Sequence, residues 1–447
     1  MPQIFASLQS FLTKILPFDI TKGALGSLGL NIIYQCLLLA IMALLTRLMD
    51  ISGFGQYSVV MAIIVLIGLP FAGGMPVFML RHVSAYYATQ DYARLTGLLR
   101  RSFIWVSLGT ILLTFLVSII ISLNVFALSD VMRTLLLTAL PAVSLTALIL
   151  FFGSILRGFK HVILGRLGEF FVQPAILCMG LTALFFAGLQ ASSLTAHQAI
   201  SLHVGSLGIA AITSLVLCII FIPKHVFQTE PTYDQPTWLK SAIPLIFAIG
   251  LVTLNAQIDI VMVGFMAGDE EAGYYRTASR LAAIVPFFLI AMNNAMGPSI
   301  SGLYAKGDIE SLQSLLIRAA RIAFVLTLPL AGLLCLFPGW TLSILFGEGF
   351  VIASAALVIL VVANLFNVFM GQVGQVMALT GYENYAALAV LVSTIANIGL
   401  NFWLIPLYGI EGAAIATGSS IIIWNALLVF WTRQKTGLHC TALGKFL

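Results

Sequence analysis

Long apolar runs separated by short polar segments make up most of the chain. Residues 102–129, 322–347 and 349–382 contain no Asp, Glu, Lys or Arg. A helix needs about 20 apolar residues to cross the roughly 30 Å hydrocarbon core of a bilayer, so each run is long enough to span a membrane. The whole pattern predicts about twelve transmembrane helices, near residues 23–46, 55–79, 102–123, 131–156, 166–188, 199–222, 240–267, 278–303, 315–337, 351–379, 384–405 and 411–431.

The composition agrees with a membrane protein. Apolar residues form 60% of the chain and charged residues only 8%, whereas about 25% of the residues in a soluble domain are charged. The fold class predicted is therefore an all-α integral membrane protein. The sequence contains no metal-binding, nucleotide-binding or hydrolase motif, so we expect no enzyme activity, no cofactor and no metal.

The basic balance of the chain is explained by its orientation in the membrane. Of the 21 Lys and Arg residues, 17 fall in alternate loops on one side of the predicted spans. The four on the other side are Arg47, Arg133, Arg276 and Arg280. Because cytoplasmic loops carry the excess of Lys and Arg, both termini are predicted to be cytoplasmic. No nucleic-acid partner is needed to account for the charge.

The two halves of the chain are internal repeats. Residues 87–101 (YATQDYARLTGLLRR) and 304–318 (YAKGDIESLQSLLIR) share seven of fifteen positions, and Gly55-Gln-Tyr57 matches Gly273-Tyr-Tyr275 at nearly the same offset. Six spans per half is an even number, so the sequence predicts two parallel six-helix repeats with a cleft between them. In each copy an Asp, Asp91 or Asp308, is placed to cap a short amphipathic helix at the cytoplasmic surface.

The repeat and the polar segments together predict five regions. Apolar residues at helical spacing near the N-terminus predict an interfacial amphipathic helix on the cytoplasmic face. A Pro-containing polar segment predicts a cytoplasmic linker between the halves. The regions are the interfacial helix at 1–22, an N-terminal six-helix lobe at 23–222, the linker at 223–239, a C-terminal six-helix lobe at 240–432 and a cytoplasmic tail at 433–447.

Polar residues at helical spacing interrupt four of the predicted spans. They are Ser27, Asn31 and Gln35 in span one, Asn255 and Asp259 in span seven, Asn364, Asn367 and Gln375 in span ten, and Ser393, Asn397 and Asn401 in span eleven. Buried amides without partners are costly, so these stripes face protein or water rather than lipid. Two interpretations stay open: hydrogen bonds that hold the helix bundle together, or the lining of one water-filled translocation pathway.

Asp259 is the acidic residue placed deep inside a span, where an ionised carboxylate costs at least about 2.5 kcal/mol. One interpretation is an ion site, a proton site or a substrate contact, and the other is a hydrogen-bonded Asp that fixes span seven to its neighbours. Arg280, a candidate pathway residue, lies about 9 Å shallower by helical rise, so we expect no pairing between the two. An Asp without such a partner would be protonated or would face cavity water.

Gly and Pro residues predict helix breaks at corresponding places in the two halves. Span two contains Gly73, Gly74 and Pro76, and span eight contains Gly297 and Pro298. Transporters use discontinuous helices at binding sites, although membrane helices also tolerate Gly and Pro elsewhere. These positions are candidate hinges.

The stretch around span seven resembles a known family. Asp259-Ile-Val-Met-Val-Gly264, Gly268, Gly273-Tyr-Tyr275 and Arg280 are similar to the signature of the polysaccharide transporters, including the O-antigen flippases. These form part of the multidrug/oligosaccharidyl-lipid/polysaccharide exporter superfamily. The resemblance implies two six-helix lobes in a V around a central cleft, in the cell inner membrane.

The resemblance also implies a function. A flippase of this family moves a lipid-linked oligosaccharide, a repeat unit of polysaccharide biosynthesis, from the cytoplasmic to the outer leaflet by alternating access. Its partners would be that substrate, membrane lipid and a proton or cation gradient. A multidrug or cation antiporter of the same superfamily is the alternative. A membrane glycan polymerase or ligase is a third class, disfavoured because the predicted outer loops are short.

Overall fold

The computed structural model describes residues 18–187 and 193–444, with the side chains of residues 18–28 left outside the description. Regular structure within these ranges is entirely helical. The first half contains α1 (Phe18–Leu48), α2 (Ile51–Ile67), α3 (Leu69–Ala72), α4 (Met75–Ala88), α5 (Tyr92–Ser122), α6 (Asp130–Ala139), α7 (Pro141–Gly158), α8 (Val162–Leu167), α9 (Gln173–Phe186) and α10 (Ala196–Phe221). The second half contains α11 (Gln235–Met266), α12 (Asp269–Ala282), α13 (Phe287–Ala305), α14 (Ile309–Leu336), α15 (Pro338–Phe346), α16 (Ser354–Met370), α17 (Val373–Leu379) and α18 (Glu383–Thr436).

Several of these helices, singly or joined to a neighbour, are long and apolar enough to cross a membrane. Among the described residues there are nine such spans, or up to eleven when each of two bent pairs counts as one span. The bent pairs are α2 with α3–α4, at 62°, and α12 with α13, at 49°. The longest helix, α18, has 54 residues and is interrupted at Gly409 (φ 55°, ψ −128°), between the last two predicted spans. The all-α membrane fold is confirmed, and the count of twelve stays a prediction.

The helix breaks of the two halves differ from the expected pattern. Gly73 and Gly74 separate α3 from α4, and a Cβ on Gly74 would lie 2.2 Å from the backbone nitrogen of Ile246 in α11. The expected break at Gly297 and Pro298 is wrong, because both lie inside the continuous helix α13.

In the second half the break lies earlier, at Ala283–Pro286 between α12 and α13. Pro286 directly precedes the first residue of α13. Proline is tolerated near a helix start because the first backbone N–H groups have no intrahelical acceptor. Pro298 shows that proline inside a membrane helix does not by itself break it. A hinge role for any of these residues stays a prediction.

The two predicted helix caps are present. The Asp91 carboxylate accepts a hydrogen bond from the backbone N–H of Arg94 at 3.1 Å, and Asp308 does the same for Ser311 at 3.1 Å. The expected short amphipathic helices are wrong, because α5 and α14 continue without interruption from these caps into their apolar spans. Nothing between cap and span stops the helix, since both stretches are rich in Leu and free of Pro and Gly pairs.

The described residues pack as two compact units. The first contains the residues up to Met49 and Ile63–Thr253, and the second contains Asp50–Ala62 and the residues from Leu254 on. The predicted six-helix lobes follow the sequence repeat, and they stay a prediction. Residues 1–17 of the predicted interfacial helix lie outside the described residues, and residues 18–22 form the first turns of α1.

In the first unit, the predicted linker folds against α4 and α5. Trp238 is fully buried and its indole N–H donates to the Tyr86 hydroxyl at 3.0 Å. The Thr232 N–H donates to the carbonyl of Ala93 at 3.0 Å, and the Thr96 hydroxyl donates to the Val226 carbonyl. The linker is therefore part of this unit's packed core rather than a loose connection.

In the second unit, the segment after α18 packs on α14. The His439 N–H donates to the Gln313 side-chain oxygen at 2.7 Å, and the Gln313 amide donates back to the His439 carbonyl. The Arg321 guanidinium donates to the Ala442 carbonyl at 2.9 Å. The described part of the predicted tail is thus held against its own unit, and residues 445–447 lie outside the description.

Candidate functional site

Asp259 lies on α11 in the second unit and is only 4% exposed. Its carboxylate oxygen Oδ1 accepts hydrogen bonds from two side-chain amides of α18. Asn397 Nδ2 is at 2.8 Å and Asn401 Nδ2 at 2.6 Å. The second N–H of Asn397 donates to Asn255 Oδ1 at 3.0 Å, and that of Asn401 donates to Asn397 Oδ1 at 3.0 Å. The polar stripes of predicted spans seven and eleven therefore meet each other.

The other carboxylate oxygen, Oδ2, faces two hydroxyls. Thr417 Oγ1 donates to it at 2.7 Å and the Tyr275 hydroxyl donates at 3.2 Å. The two hydroxyls are also 2.8 Å from each other, and Thr417 lies 3.0 Å from the carbonyl of Ala413. We call Asp259, Asn255, Asn397, Asn401, Thr417 and Tyr275 the Asp259 network.

Local sequence explains why each member points into the network. Asn255 and Asp259 are four residues apart on α11, and Asn397 and Asn401 are four apart on α18, so each pair shares one helix face. Thr417 comes back to the same place because Gly409, with its positive φ, turns the chain between the two parts of α18. At Gly412 a Cβ would lie 2.2 Å from the Leu404 carbonyl oxygen. Only a residue without a side chain permits this close turn.

The two sides of the carboxylate differ in chemistry. Both N–H groups of Asn397 and of Asn401 are directed to acceptors within the network, so the amide side only donates. A hydroxyl, in contrast, donates one hydrogen bond and also accepts. When Asp259 is ionised, the Thr417 hydroxyl donates to it; when Oδ2 carries a proton, Thr417 can accept that proton's hydrogen bond and donate to Ala413. The network can therefore hold Asp259 in either protonation state.

The network could also hold a hard cation. The described residues contain no group of three His, Cys, Asp or Glu side chains suited to a metal ion. The network instead supplies carboxylate, amide and hydroxyl oxygens, the ligand types that hard cations prefer. Asn401 Oδ1 is buried without a hydrogen-bond partner, so one oxygen ligand is available without breaking an existing bond.

The other predicted pathway residues of the second unit lie outside this network. Asn364 donates to the Leu360 carbonyl of its own helix at 2.9 Å. Asn367 accepts from the fully buried Asn425 at 3.0 Å, and Gln375 donates to the backbone carbonyl of Asn293 at 2.6 Å. These are interhelical or same-helix hydrogen bonds, so a shared aqueous lining for them stays a prediction.

The remaining predicted residues are half-buried. Asn31 and Gln35 lie on α1 in the first unit, and Arg280 lies in the last turn of α12 in the second unit. Arg47, near the end of α1, is exposed. A common cavity for Asn31, Gln35 and the second-unit amides stays a prediction.

Sequence reasoning did not assign Tyr275 and Thr417 to the site. Tyr275 had a sequence signal, since it ends the repeated Gly-x-Tyr motif. The structure shows its side chain buried and its hydroxyl 3.2 Å from Asp259 Oδ2. Thr417 had none, because a single Thr within the small-residue run 412–420 is ordinary in a membrane helix.

A second acidic side chain also lies within a membrane helix. Glu169 belongs to the π-helical turn Gly168–Val172 that joins α8 to α9 in the first unit. The guanidinium groups of Arg157 and Arg166 interact with it electrostatically. The sequence placed this residue near the start of a span at 166, whereas the helix begins at Val162. A π-helical turn inside a longer helix is often found at functional sites.

Comparison with known proteins gives two family matches. The chain matches the polysaccharide biosynthesis protein family over residues 20–303 and the MatE family over residues 244–403. A Haloferax volcanii protein named "Probable low-salt glycan biosynthesis flippase Agl15" is 28% identical over 170 residues, covering 38% of this chain and 36% of that protein. An uncharacterised membrane protein of Methanocaldococcus jannaschii is 23% identical over 69% of this chain and 61% of its own length. The matched segments thus span less than two thirds of these relatives.

Solved structures show the same fold. An inward-facing multidrug resistance MATE transporter of the MOP superfamily, the superfamily inferred above, superposes with a TM-score of 0.74 at 14% identity, covering 92% of this chain and 98% of the other. The lipid II flippase MurJ in an inward closed conformation gives 0.72 at 17% identity, covering 92% and 87%. The resemblance read from the sequence is confirmed. This multi-pass membrane protein belongs to the polysaccharide biosynthesis protein family, within the multidrug/oligosaccharidyl-lipid/polysaccharide exporter superfamily.

Proposed function

We propose that this protein is a flippase that moves a lipid-linked oligosaccharide from the cytoplasmic to the outer leaflet of the cell membrane by alternating access. Family membership supports a role in polysaccharide biosynthesis, and the name of the Haloferax volcanii relative supports a flippase. In this proposal both termini and the linker are cytoplasmic, as the distribution of Lys and Arg indicates.

We further propose that the Asp259 network couples transport to a proton or a monovalent cation. The observation that carries this is a buried carboxylate with donors on one side and reversible hydroxyls on the other. A carboxyl group that changes between two states, ionised and either protonated or cation-bound, at little free-energy cost can shift the equilibrium between two conformations of a transporter. This requires that each conformation favours a different state of the carboxyl group. The network joins α11, α12 and both parts of α18, so a change at Asp259 reaches four helical segments.

Asp259→Asn tests the proposal, because Asn mimics the protonated carboxyl but does not ionise. The Asn side chain can accept from Asn397 and Asn401 with its oxygen and donate to the hydroxyls with its nitrogen, so we expect membrane abundance near wild type. Export of finished glycan to the cell surface, divided by protein abundance, should fall at least about tenfold, which corresponds to about 1.4 kcal/mol.

Thr327→Val is the matched control. Thr327 is also buried on a membrane helix of the second unit, but its hydroxyl donates only to the Ala323 carbonyl of its own helix, at 2.7 Å. Export by this variant should equal wild type. If Asp259→Asn exports glycan at the wild-type rate across external pH 6 to 8, ionisation of Asp259 plays no part in transport.

A drug or cation antiporter is the second candidate function. The MatE match over residues 244–403 favours it, because that segment contains Asp259 and both network asparagines of α18. Growth of a drug-sensitive bacterium expressing the protein distinguishes the two candidates. Resistance to cationic dyes that is lost in Asp259→Asn, together with unchanged surface glycan, would favour the antiporter.

A further inference from the structure

The second unit contains an open cavity of about 710 Å³ between α13 and the start of α14. Its lining combines two cationic side chains, one carboxylate, three serines and two leucines. The residues are Ser299, Gly302, Leu303, Lys306, Glu310, Ser311, Ser314, Leu315 and Arg318. None of them belongs to the Asp259 network.

The sequence repeat shows what lies in the corresponding place of the first unit. In the aligned segments, Tyr86, Ala93, Gly97 and Arg101 correspond to Leu303, Glu310, Ser314 and Arg318. All four first-unit positions contact the linker. Tyr86 accepts from Trp238, and the Ala93 carbonyl accepts from Thr232. Gly97 lies against the Thr232 backbone, and Arg101 donates to Gln235 at 3.4 Å. The cavity of the second unit is thus the counterpart of a groove that the linker fills in the first.

A peptide does not fit the second groove in the same way. A Cβ on Gly97 would lie 2.1 Å from the Thr232 carbonyl oxygen, so the linker backbone lies where a side chain would be. The corresponding residue of the second unit is Ser314, whose Cβ and hydroxyl occupy that space. The second groove also carries a charge that the first lacks, since Glu310 stands where the first unit has Ala93. A molecule that fits this cavity has to be smaller at that point than a peptide backbone, and the lining offers it charges of both signs.

The order of charged, polar and apolar residues along α14 indicates which chemical groups an occupant would present at each depth. Glu310, Ser314 and Arg318 are four residues apart on one face, about 6 Å per step. Beyond them the same face continues as exposed apolar surface, with Ile322 at 49% and Val325 at 61% exposure. From water toward the membrane centre, the face thus presents a carboxylate, a hydroxyl, a guanidinium and then apolar side chains.

We propose that this cavity binds the headgroup of phosphatidylethanolamine from the surrounding bilayer. The phosphate would be held by the two cations of the lining, Arg318 and Lys306, with Ser314 and Ser299 as hydroxyl donors. The primary ammonium, farther from the membrane centre, would be held by Glu310, and the acyl chains would lie on Ile322 and Val325. Basic pockets between membrane helices bind phosphate-bearing lipid headgroups. A lipid that is abundant in the surrounding bilayer fills an open site by mass action.

The charge around the cavity also depends on Asp308, which lies next to it in sequence. Asp308 caps α14, and hydrogen bonds from Ser311 hold the pKa of its carboxyl below the usual value, so it is ionised and already engaged. The Ser311 hydroxyl is correspondingly committed to Asp308. The cations Lys306 and Arg318 are therefore balanced by nearby carboxylates. This balance favours a zwitterionic headgroup over a purely anionic one.

Native mass spectrometry of the full chain, delipidated in detergent and titrated with one lipid at a time, tests the proposal. The three lipids are phosphatidylethanolamine, phosphatidylcholine, whose quaternary ammonium has no N–H donor, and anionic phosphatidylglycerol. We expect phosphatidylethanolamine to bind about tenfold more tightly than the other two, which corresponds to about 1.4 kcal/mol.

Four variants assign the effect to residues. Arg318→Gln should weaken all three lipids, and Glu310→Gln should remove only the preference for phosphatidylethanolamine. Ser314→Leu, which fills the cavity without changing charge, should also weaken all three lipids. Arg433→Gln, an exposed cation at the end of α18, should change nothing.

Three outcomes would overturn the proposal. Equal binding of all three lipids would show that no ammonium is recognised. Unchanged binding in Ser314→Leu would place the lipid on the general surface rather than in the cavity, or leave the cavity to another occupant such as a peptide. An equal loss in Arg318→Gln and Arg433→Gln would reduce the effect to net charge. Each variant is first required to elute as a single species by size exclusion, so that a folding defect is recognised as such.

Discussion

The two halves of this chain repeat one helical pattern but bury different chemistry at matching positions. Aligned on the Gly-x-Tyr motif, Asp259 of the second half corresponds to Ile41 of the first. Ile41 is 5% exposed and Asp259 is 4% exposed, so burial is the same although one side chain is apolar and the other is an acid. At the position compared, the first half has an apolar side chain where the second half has the acceptor of the Asp259 network.

A second difference concerns the groove beside the start of α5 and of α14. In the first unit Gly97 admits the linker backbone, and the linker completes the core. In the second unit Ser314 excludes a backbone at that point, and the tail makes its contacts with Gln313 and Arg321 instead. The same fold element is therefore a packing surface in one unit and an open polar cavity in the other. The replacement of Gly97 by Ser314 is one of the differences between the two sites, together with Ala93 against Glu310.

Among the variants that test the difference between the two halves, Asp259→Leu is expected to cause the largest loss of stability. The change leaves the amides of Asn397 and Asn401 and the hydroxyls of the network without their common acceptor, and each buried donor left unsatisfied costs about 1–3 kcal/mol. Ile41→Leu, the matching change in the first half, should cost less than about 1.5 kcal/mol. Thermal unfolding in detergent, together with membrane abundance, measures both. Equal stability of the two variants would mean that the network does not hold the second unit together.

Gly97→Leu should have the next largest effect. Its side chain would collide with the Thr232 backbone, displace the linker and cost about 1–3 kcal/mol through overpacking. Ser314→Leu is the matched variant in the second unit, and because it points into a cavity it should stay within about 0.5 kcal/mol of wild type. Limited proteolysis between residues 224 and 240 reports linker release. Faster cleavage in Ser314→Leu than in Gly97→Leu would contradict the assignment of the groove.

Thr417→Val sharpens the comparison inside the network. The variant removes the donor that Oδ2 of Asp259 has at 2.7 Å, so we expect a loss of about 1–2 kcal/mol in unfolding free energy. It also removes the hydroxyl that can reverse its hydrogen bond, so export per protein should fall. Thr417→Ser, which keeps the hydroxyl, should restore most of both. If Thr417→Ser does not restore export, the methyl group of Thr417 rather than its hydroxyl is required for transport.

The smallest effect is expected for Gln313→Ala, which removes the two hydrogen bonds to His439 and costs about 1 kcal/mol. Cys440 reports the result. Burial raises the pKa of its thiol to about 12, so the reactive thiolate hardly forms at pH 8 while the tail is packed. Release of the tail brings the pKa back toward the ordinary value near 8.5 and should speed maleimide labelling. Peptide mapping separates Cys440 from the exposed Cys36, whose labelling rate should not change.

Much of the fold followed from local pattern. The apolar runs, the caps Asp91 and Asp308 and the interruption near Gly409 are all properties of neighbouring residues, so the sequence predicted them. The break in span eight was misplaced because Gly297 and Pro298 look like helix breakers, whereas the surrounding apolar residues keep α13 continuous. A Pro in a membrane helix removes one backbone hydrogen bond, but the bilayer core contains no water that would compete for the remaining backbone groups, so the helix continues.

The candidate site divides in the same way. Helical spacing by itself determined that Asn255 and Asp259 share one face, as do Asn397 and Asn401, because side chains four residues apart project together whatever surrounds the helix. Only the tertiary structure decided that these two faces meet, that Thr417 and Tyr275 join them, and that Asn364, Asn367 and Gln375 form separate hydrogen bonds. Which stripes pair depends on contacts between residues more than a hundred positions apart. Several amide stripes of equal polarity offer many pairings, and close packing of whole helices selects among them.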